Sequence, residues 1–190
     1  MARLIYTAIA SVDGKVADAD GNFDWAAPDE QLHAFVNDLE RSVGTYLYGR
    51  RMYEVMAGWE TMPTGADQPA VIRDYALIWR AADKLVYSAS LFGRPEAVRS
   101  ARTRIEHTFD VEEIRKLKAD ATSDLSIGGP TLAGHALRAG LIDECRLFLV
   151  PVTVGSGTPA LPDHFLLRLR LMQLHRFDNG VVYLSYRIRY

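Results

Sequence analysis

The chain has 190 residues, 48% hydrophobic and 24% charged, with 22 basic against 24 acidic side chains and a formal charge of −2. That balance excludes a disordered, tail-like chain. A single cysteine excludes an intrachain disulfide, and interspersed charges give no support to a nucleic-acid or anionic-membrane surface. The length suits one domain, residues 1–190, with small-molecule partners.

Leu4 to Ala10 is continuously apolar and bounded by Ser11-Val12-Asp13-Gly14, which predicts a strand buried on both faces of a mostly parallel sheet. The run is short for a signal segment and soon meets Asp13 and Lys15, so a cytoplasmic protein is expected. Asp18, Asp20, Asn22 and Asp24 are spaced like a calcium loop, but the glycine is misplaced and no glutamate closes it, so this segment reads as turns. Asp29 can cap a helix carrying Leu32, Phe35, Val36 and Leu39, with Gly44 expected to end it. Thr45 to Tyr48 then reads as a strand running into Gly49-Arg50-Arg51 and a helix near Met52 to Met56.

Trp59 to Pro69 reads as a loop, and Val71, Tyr75, Ile78 and Trp79 space a helix over Ala70 to Ala82. Lys84 to Tyr87 is the next strand, closing on Ser88-Ala89-Ser90. An irregular stretch, a short strand at Arg104 to Phe109 and a helix at Val111 to Lys118 follow. In Asp124 to Glu144 a strand at Leu125 to Ile127 meets Gly128-Gly129. Pro130 then opens a helix with Leu132, Ala133, Ala136 and Leu137 on one face, and Gly140 stands at its left-handed end. Two glycines before a helix N-terminus let backbone N–H groups approach a phosphate, although a tight turn that binds nothing has the same sequence. A Walker A loop fails because His135 stands at the lysine position, and no G-x-G-x-x-G is present.

Arg146 to Val154 predicts a long strand interrupted by Pro151, with Cys145 buried at its start. Asn179-Gly180 between Leu171 to Phe177 and Val181 to Tyr190 predicts a hairpin in which Val182, Leu184, Tyr186 and Ile188 form the apolar side. The sum is a three-layer αβα sandwich with a mixed, mostly parallel sheet and a C-terminal antiparallel hairpin. The apolar 146–154 run and the tyrosines at Tyr183, Tyr186 and Tyr190 suggest a homodimer.

Four predicted strands deliver Ser11 to Lys15, Gly49 to Arg51, Ser88 to Ser90 and Gly128 to Thr131 to one edge of the sheet, where ligands of open α/β sheets collect. Arg50 and Arg51 suit a ribose phosphate, while Ser88 and Ser90 offer hydroxyls that are equally common in turns. The five histidines lack ligand spacing, so no metal is expected, and no G-x-S-x-G elbow exists. Hydride transfer, in which a cofactor brings the chemistry, is the reading left.

LYGRRMYE (Leu47 to Glu54), KLVYSAS (Lys84 to Ser90) and SIGGPTLAGHAL (Ser126 to Leu137) resemble the cofactor-binding elements of the dihydrofolate reductase fold. SVDGKVA (Ser11 to Ala17) and LFLVPVTVGSGTPAL (Leu147 to Leu161) look more like the reductase domain of bifunctional riboflavin-biosynthesis proteins. The resemblance implies NADPH, with Gly49, Arg50 and Arg51 serving the 2′-phosphate and pyrophosphate and Ser88, with Ser90, on the adenosine side. Gly128, Gly129, Pro130, Thr131 and Leu132 would wrap the pyrophosphate and nicotinamide ribose. Met52 replaces the family's usual threonine, and His33 falls at the register of the folate-binding carboxylate. Asp13 and Lys15 are the candidates for substrate contact. The implied activity is NADPH-dependent reduction of a small heterocycle, of the 5-amino-6-(5-phosphoribosylamino)uracil reductase or dihydrofolate reductase kind. The alternative is a nucleotide-binding module without turnover.

Overall fold

In the computed structural model, which describes residues 2–190, Leu4–Ser11 form β1, whose alternate side chains enter different layers. Leu4, Tyr6, Ala8 and Ala10 pack on one face, while Ile9 joins a cluster on the other, so the apolar run is buried on both sides. There follow β2 (Lys15–Ala17), a 3-10 turn at Asp24–Ala26, α1 (Glu30–Glu40), β3 (Val43–Gly49), α2 (Arg50–Met56), α3 (Gly58–Thr61) and α4 (Ala70–Ala81). Next come β4 (Asp83–Tyr87), β5 (Thr103–Glu106), α5 (Val111–Asp120), β6 (Asp124–Gly128), α6 (Pro130–Arg138), β7 (Glu144–Val150), β8 (Thr158–Pro159), β9 (Arg168–Arg176) and β10 (Val182–Arg189).

The main sheet has eight strands in the order β5-β4-β3-β6-β1-β7-β10-β9. Every pairing from β5 to β7 is parallel, and β10 turns antiparallel to both β7 and β9. One face packs on α5 and α6 through Ile114, Leu132, Ala133, Ala136 and Leu137. The other packs on α1 through Leu32 and Phe35, and on α2 and α4 through Tyr53, Met56, Tyr75 and Trp79. This is the three-layer αβα sandwich.

Several elements depart from their expected form. Gly44 does not end α1, which stops at Glu40; it lies inside β3, because the β-prone run already begins at Val43. The loop expected from Trp59 carries the single turn α3, and β2 pairs with β8 in a two-stranded sheet too short to leave a pattern. In β10 the deeply buried residues are Tyr183, Ser185 and Ile188, while Val182, Leu184 and Tyr186 are half-buried, because both faces of the strand meet protein. The apolar 146–154 run is not a surface either, since β7 lies between β1 and β10 and Phe148 is fully buried. Exposed apolar side chains gather instead around the outer strand β9, where Leu171 is 50%, Met172 49% and Leu174 59% accessible, beside Leu166 at 78%. Cys145 is in the core, and burial pushes its thiol up to about 12.

The α1 face of the sheet carries a polar interior. Register places Thr7 beside Arg146 and Arg146 beside Ser185. Arg146 Nε donates to Glu144 Oε1 at 2.6 Å and Ser185 Oγ donates to the same oxygen at 2.9 Å. Thr7 Oγ1, Tyr46 OH and Arg146 Nη1 are sealed from solvent with no hydrogen-bond partner among the described residues. Glu40, at the end of α1, has its carboxyl pushed up by burial, opposed by Tyr46 and the Arg146 charge. A raised folded-state value means that Glu40 contributes most below the ordinary carboxyl value of 4.5 and loses that contribution as pH rises through the folded value. Glu40→Gln is therefore expected to match wild type near the acid end and to melt higher at neutral pH, by about 2–4 °C per kcal/mol relieved. Thermal melts across pH check this; a neutral-pH loss in the variant would show that the attraction to Arg146 outweighs burial.

Candidate cofactor site

The carboxyl ends of β4, β3, β6 and β1 are neighbours in the sheet, so the four predicted segments do meet at one edge. At its centre β6 turns into α6 through Gly128 and Gly129. A Cβ on Gly128 would stand 2.8 Å from Tyr48 Cε1 and 3.1 Å from Met52 Cγ, and Gly129 has φ +90. Both positions require glycine, one for space and one for backbone conformation. No side chain caps α6, and Pro130 occupies its first position, which leaves the N–H groups of Thr131 and Leu132 without intrahelical acceptors. With the helix dipole behind them, these donors suit an anion.

Gly49 is the N-cap of α2, and a side chain there would meet no protein atom within 4 Å. Arg50 is half-exposed, and its Nη1 lies 3.2 Å from Glu54 one turn on, so a phosphate must compete with that carboxylate. Arg51 has no ionic or hydrogen-bonding partner among the described residues and points a free guanidinium to solvent. After β4, the Ser88 hydroxyl lies 3.1 Å from that of Ser90 and accepts from Leu91 N at 3.3 Å, a turn that presents both hydroxyls at the edge. Beside it, Thr108, Phe109, Val111 and His135 line a concavity of about 390 Å³, with Tyr87 edge-on to Phe109 at 5.2 Å. A similar hollow of about 380 Å³ lies at the opposite edge, by Val43, Gly44 and Ala82, and adjoins none of the four strand ends.

The β1 end differs from expectation in detail. Asp13 accepts from Val154 N at 3.1 Å and Gly155 N at 2.8 Å, so both carboxylate oxygens are committed to the loop after β7. The Ser11 hydroxyl and these N–H groups hold its carboxyl below the ordinary range. Lys15 begins β2 opposite Pro159, with its backbone N–H on Ser11 Oγ at 2.9 Å and its ammonium unpaired among the described residues. Lys15, not Asp13, is thus the polar group with an open position here. Met52 was readable only as a departure from the family; its packing against the glycine pair, 76 positions away, has no local signal. No group of three or more potential metal ligands occurs among the described residues. Among the described residues, no helix is long and apolar enough to cross a membrane.

A family model for the RibD C-terminal domain matches residues 2–183, and the chain belongs to that family. It is 27% identical to the uncharacterized protein YyaP of Bacillus subtilis over 97% of this chain and 94% of that one. It is 30% identical to the riboflavin biosynthesis protein RibD of Mycobacterium tuberculosis over 80% of this chain, and spans only 43% of that protein's length. A solved dihydrofolate reductase of Enterococcus faecalis, complexed with NADP(H), shares the fold at a TM-score of 0.62 and 14% identity, with 98% of this chain and 96% of that one covered.

Asp13→Ala should expose the Val154 and Gly155 amides to faster hydrogen exchange while the melting temperature stays close to wild type, since the carboxylate is at the surface. Unchanged protection at both amides would show that the loop is held by other contacts.

Proposed function

We propose that the chain is an NADPH-dependent oxidoreductase that reduces a small heterocycle. The observation that carries this reading is the uncapped start of α6 behind a glycine pair, at the edge where four parallel strands end together. The Thr131 and Leu132 N–H groups fit a pyrophosphate. Arg51 and Arg50 fit the 2′-phosphate, and the Ser88 turn fits the adenosine ribose. The concavity walled by Phe109 and His135 is roomy enough for the adenine. NADPH, when bound, supplies the hydride; the protein positions the two reactants and keeps water from between them. Lys15 has an unpaired ammonium suited to a substrate that carries a phosphate, as a ribose-phosphate heterocycle does.

Arg50→Ala should weaken NADPH by about 1.5 kcal/mol, the low end for a charge-assisted bond because Glu54 already holds the guanidinium, and should leave NADH nearly unchanged. Gly129→Asp should damage both cofactors, because it strains the backbone and puts a negative charge at the anion site. Tryptophan fluorescence titrations read both effects, and wild-type NADPH affinity in the two variants would remove the site. Turnover is tested by following NADPH absorbance with pterins, pyrimidines and quinones. NADPH binding with no turnover across the panel would favour a binding module.

We further propose a homodimer in which a second copy covers Leu171 and Leu174. The arginines at 168, 170 and 176 oppose edge-to-edge pairing of two β9 strands, so the apolar side chains rather than the strand edge would carry the contact. Light scattering at micromolar concentration should give a dimer that Leu171→Glu with Leu174→Glu converts to monomer. A wild-type monomer rejects the pairing.

A further inference from the structure

The C-terminal hairpin carries one pattern on both strands, Arg168-Leu169-Arg170 on β9 and Arg187-Ile188-Arg189 on β10. Alternate residues of a strand share a face, so each strand sets two arginines on one face. Register then opposes them, Arg170 across from Arg187 and Arg168 across from Arg189. All four are exposed, and none has an ionic or hydrogen-bonding side-chain partner among the described residues.

Like charges directly opposite each other destabilise a sheet, so this square of cations needs a reason. Register continues the Arg170 and Arg187 row to Glu144 on β7, but that carboxylate is already spent. Its Oε1 accepts from Arg146 Nε at 2.6 Å and from Ser185 Oγ at 2.9 Å, and its Oε2 accepts from Arg3 Nη1 at 2.6 Å. Charge on an edge strand blocks pairing with another chain, which accounts for Arg168 and Arg170. It does not account for Arg187 and Arg189, because β10 lies inside the sheet between β7 and β9.

β9 is the last strand, and its outer side has no partner strand. An extended segment can add at such an edge through main-chain hydrogen bonds. Its alternate side chains repeat at about 6.6–6.8 Å, the spacing of Arg168 and Arg170 along β9. Single-stranded nucleic acid fits less well, since it is held by basic groups interleaved with exposed aromatic rings. Of the two tyrosines on β10, Tyr183 is buried, and Tyr186 lies on the other face opposite Leu171.

We propose that the hairpin is a docking surface for an extended acidic segment of a partner protein. The segment adds as a strand along β9 and sets acids two residues apart against Arg168 and Arg170, with Arg187 and Arg189 behind them. The same arginines repel a second β9, so the edge selects against its own copy. The surface is independent of the cofactor reading and lies on the sheet face opposite Leu171 and Leu174.

The test uses the full chain and a short fluorescein-labelled peptide of alternating glutamate and valine, followed by anisotropy at low ionic strength. Wild type should bind it, and Arg168→Glu with Arg170→Glu should weaken binding by about tenfold or more, the scale of one lost charge-assisted bond. A peptide of alternating lysine and valine should show the reverse preference. The melting temperature of the double variant should hold or rise, because each glutamate then faces an arginine of β10. On adding the acidic peptide, β9 amides that exchange fast in the free protein should become protected. No binding by wild type, or equal binding by the double variant, overturns the proposal. So does an unchanged exchange pattern on β9, or tighter binding of an oligothymidylate of equal charge.

Discussion

The start of α6 is the constraint on which the site depends. A helix that begins with glycine and proline, uncapped by any side chain, keeps two backbone donors unsatisfied at the head of its dipole. A helix end left in that state needs an anion or solvent. The rest of the fold holds it still. β6 lies between β1 and β3, Tyr48 and Met52 close on the glycine pair, and Ala133, Ala136 and Leu137 bury the helix against the sheet. A side chain at Gly128 would push those neighbours apart, so the close approach of backbone to ligand depends on the packing behind it.

Around this centre the charged groups divide by what they are already bonded to. Asp13 and Asp29 are consumed in tying distant segments to the edge, one to the loop after β7 and one to the hairpin turn. Lys84 is buried and caps α4 by donating to Trp79 O and Ala82 O, with the Trp79 ring 4.3 Å beneath it. Arg51 and Lys15 keep side chains unpaired among the described residues. That division separates groups that build the edge from groups that serve it, and residue type alone does not give it.

Most of the architecture was legible because the signals are local. The strand-glycine-helix switch at 125–138, the capping Asp29 and the Asn179-Gly180 hairpin are each written within a few residues, and each stands where it was expected. The pairing of β2 with β8 was not legible, since three residues and two residues carry no period. Gly44 misled because glycine is read as a helix end, whereas here the chain turns at Arg41 and glycine enters a strand. The bonds of Asp13 and the place of Met52 escaped for a different reason. Their partners lie far along the chain, and only the sheet order brings them together.

Electron density from crystals soaked in millimolar NADPH tests the central claim most directly. The account predicts the pyrophosphate against the Thr131 and Leu132 N–H groups, the 2′-phosphate between Arg50, Arg51 and the Ser88 turn, and the adenine over Phe109. A nucleotide bound elsewhere, or an edge left empty at saturating NADPH in crystals whose lattice leaves it open, would contradict it.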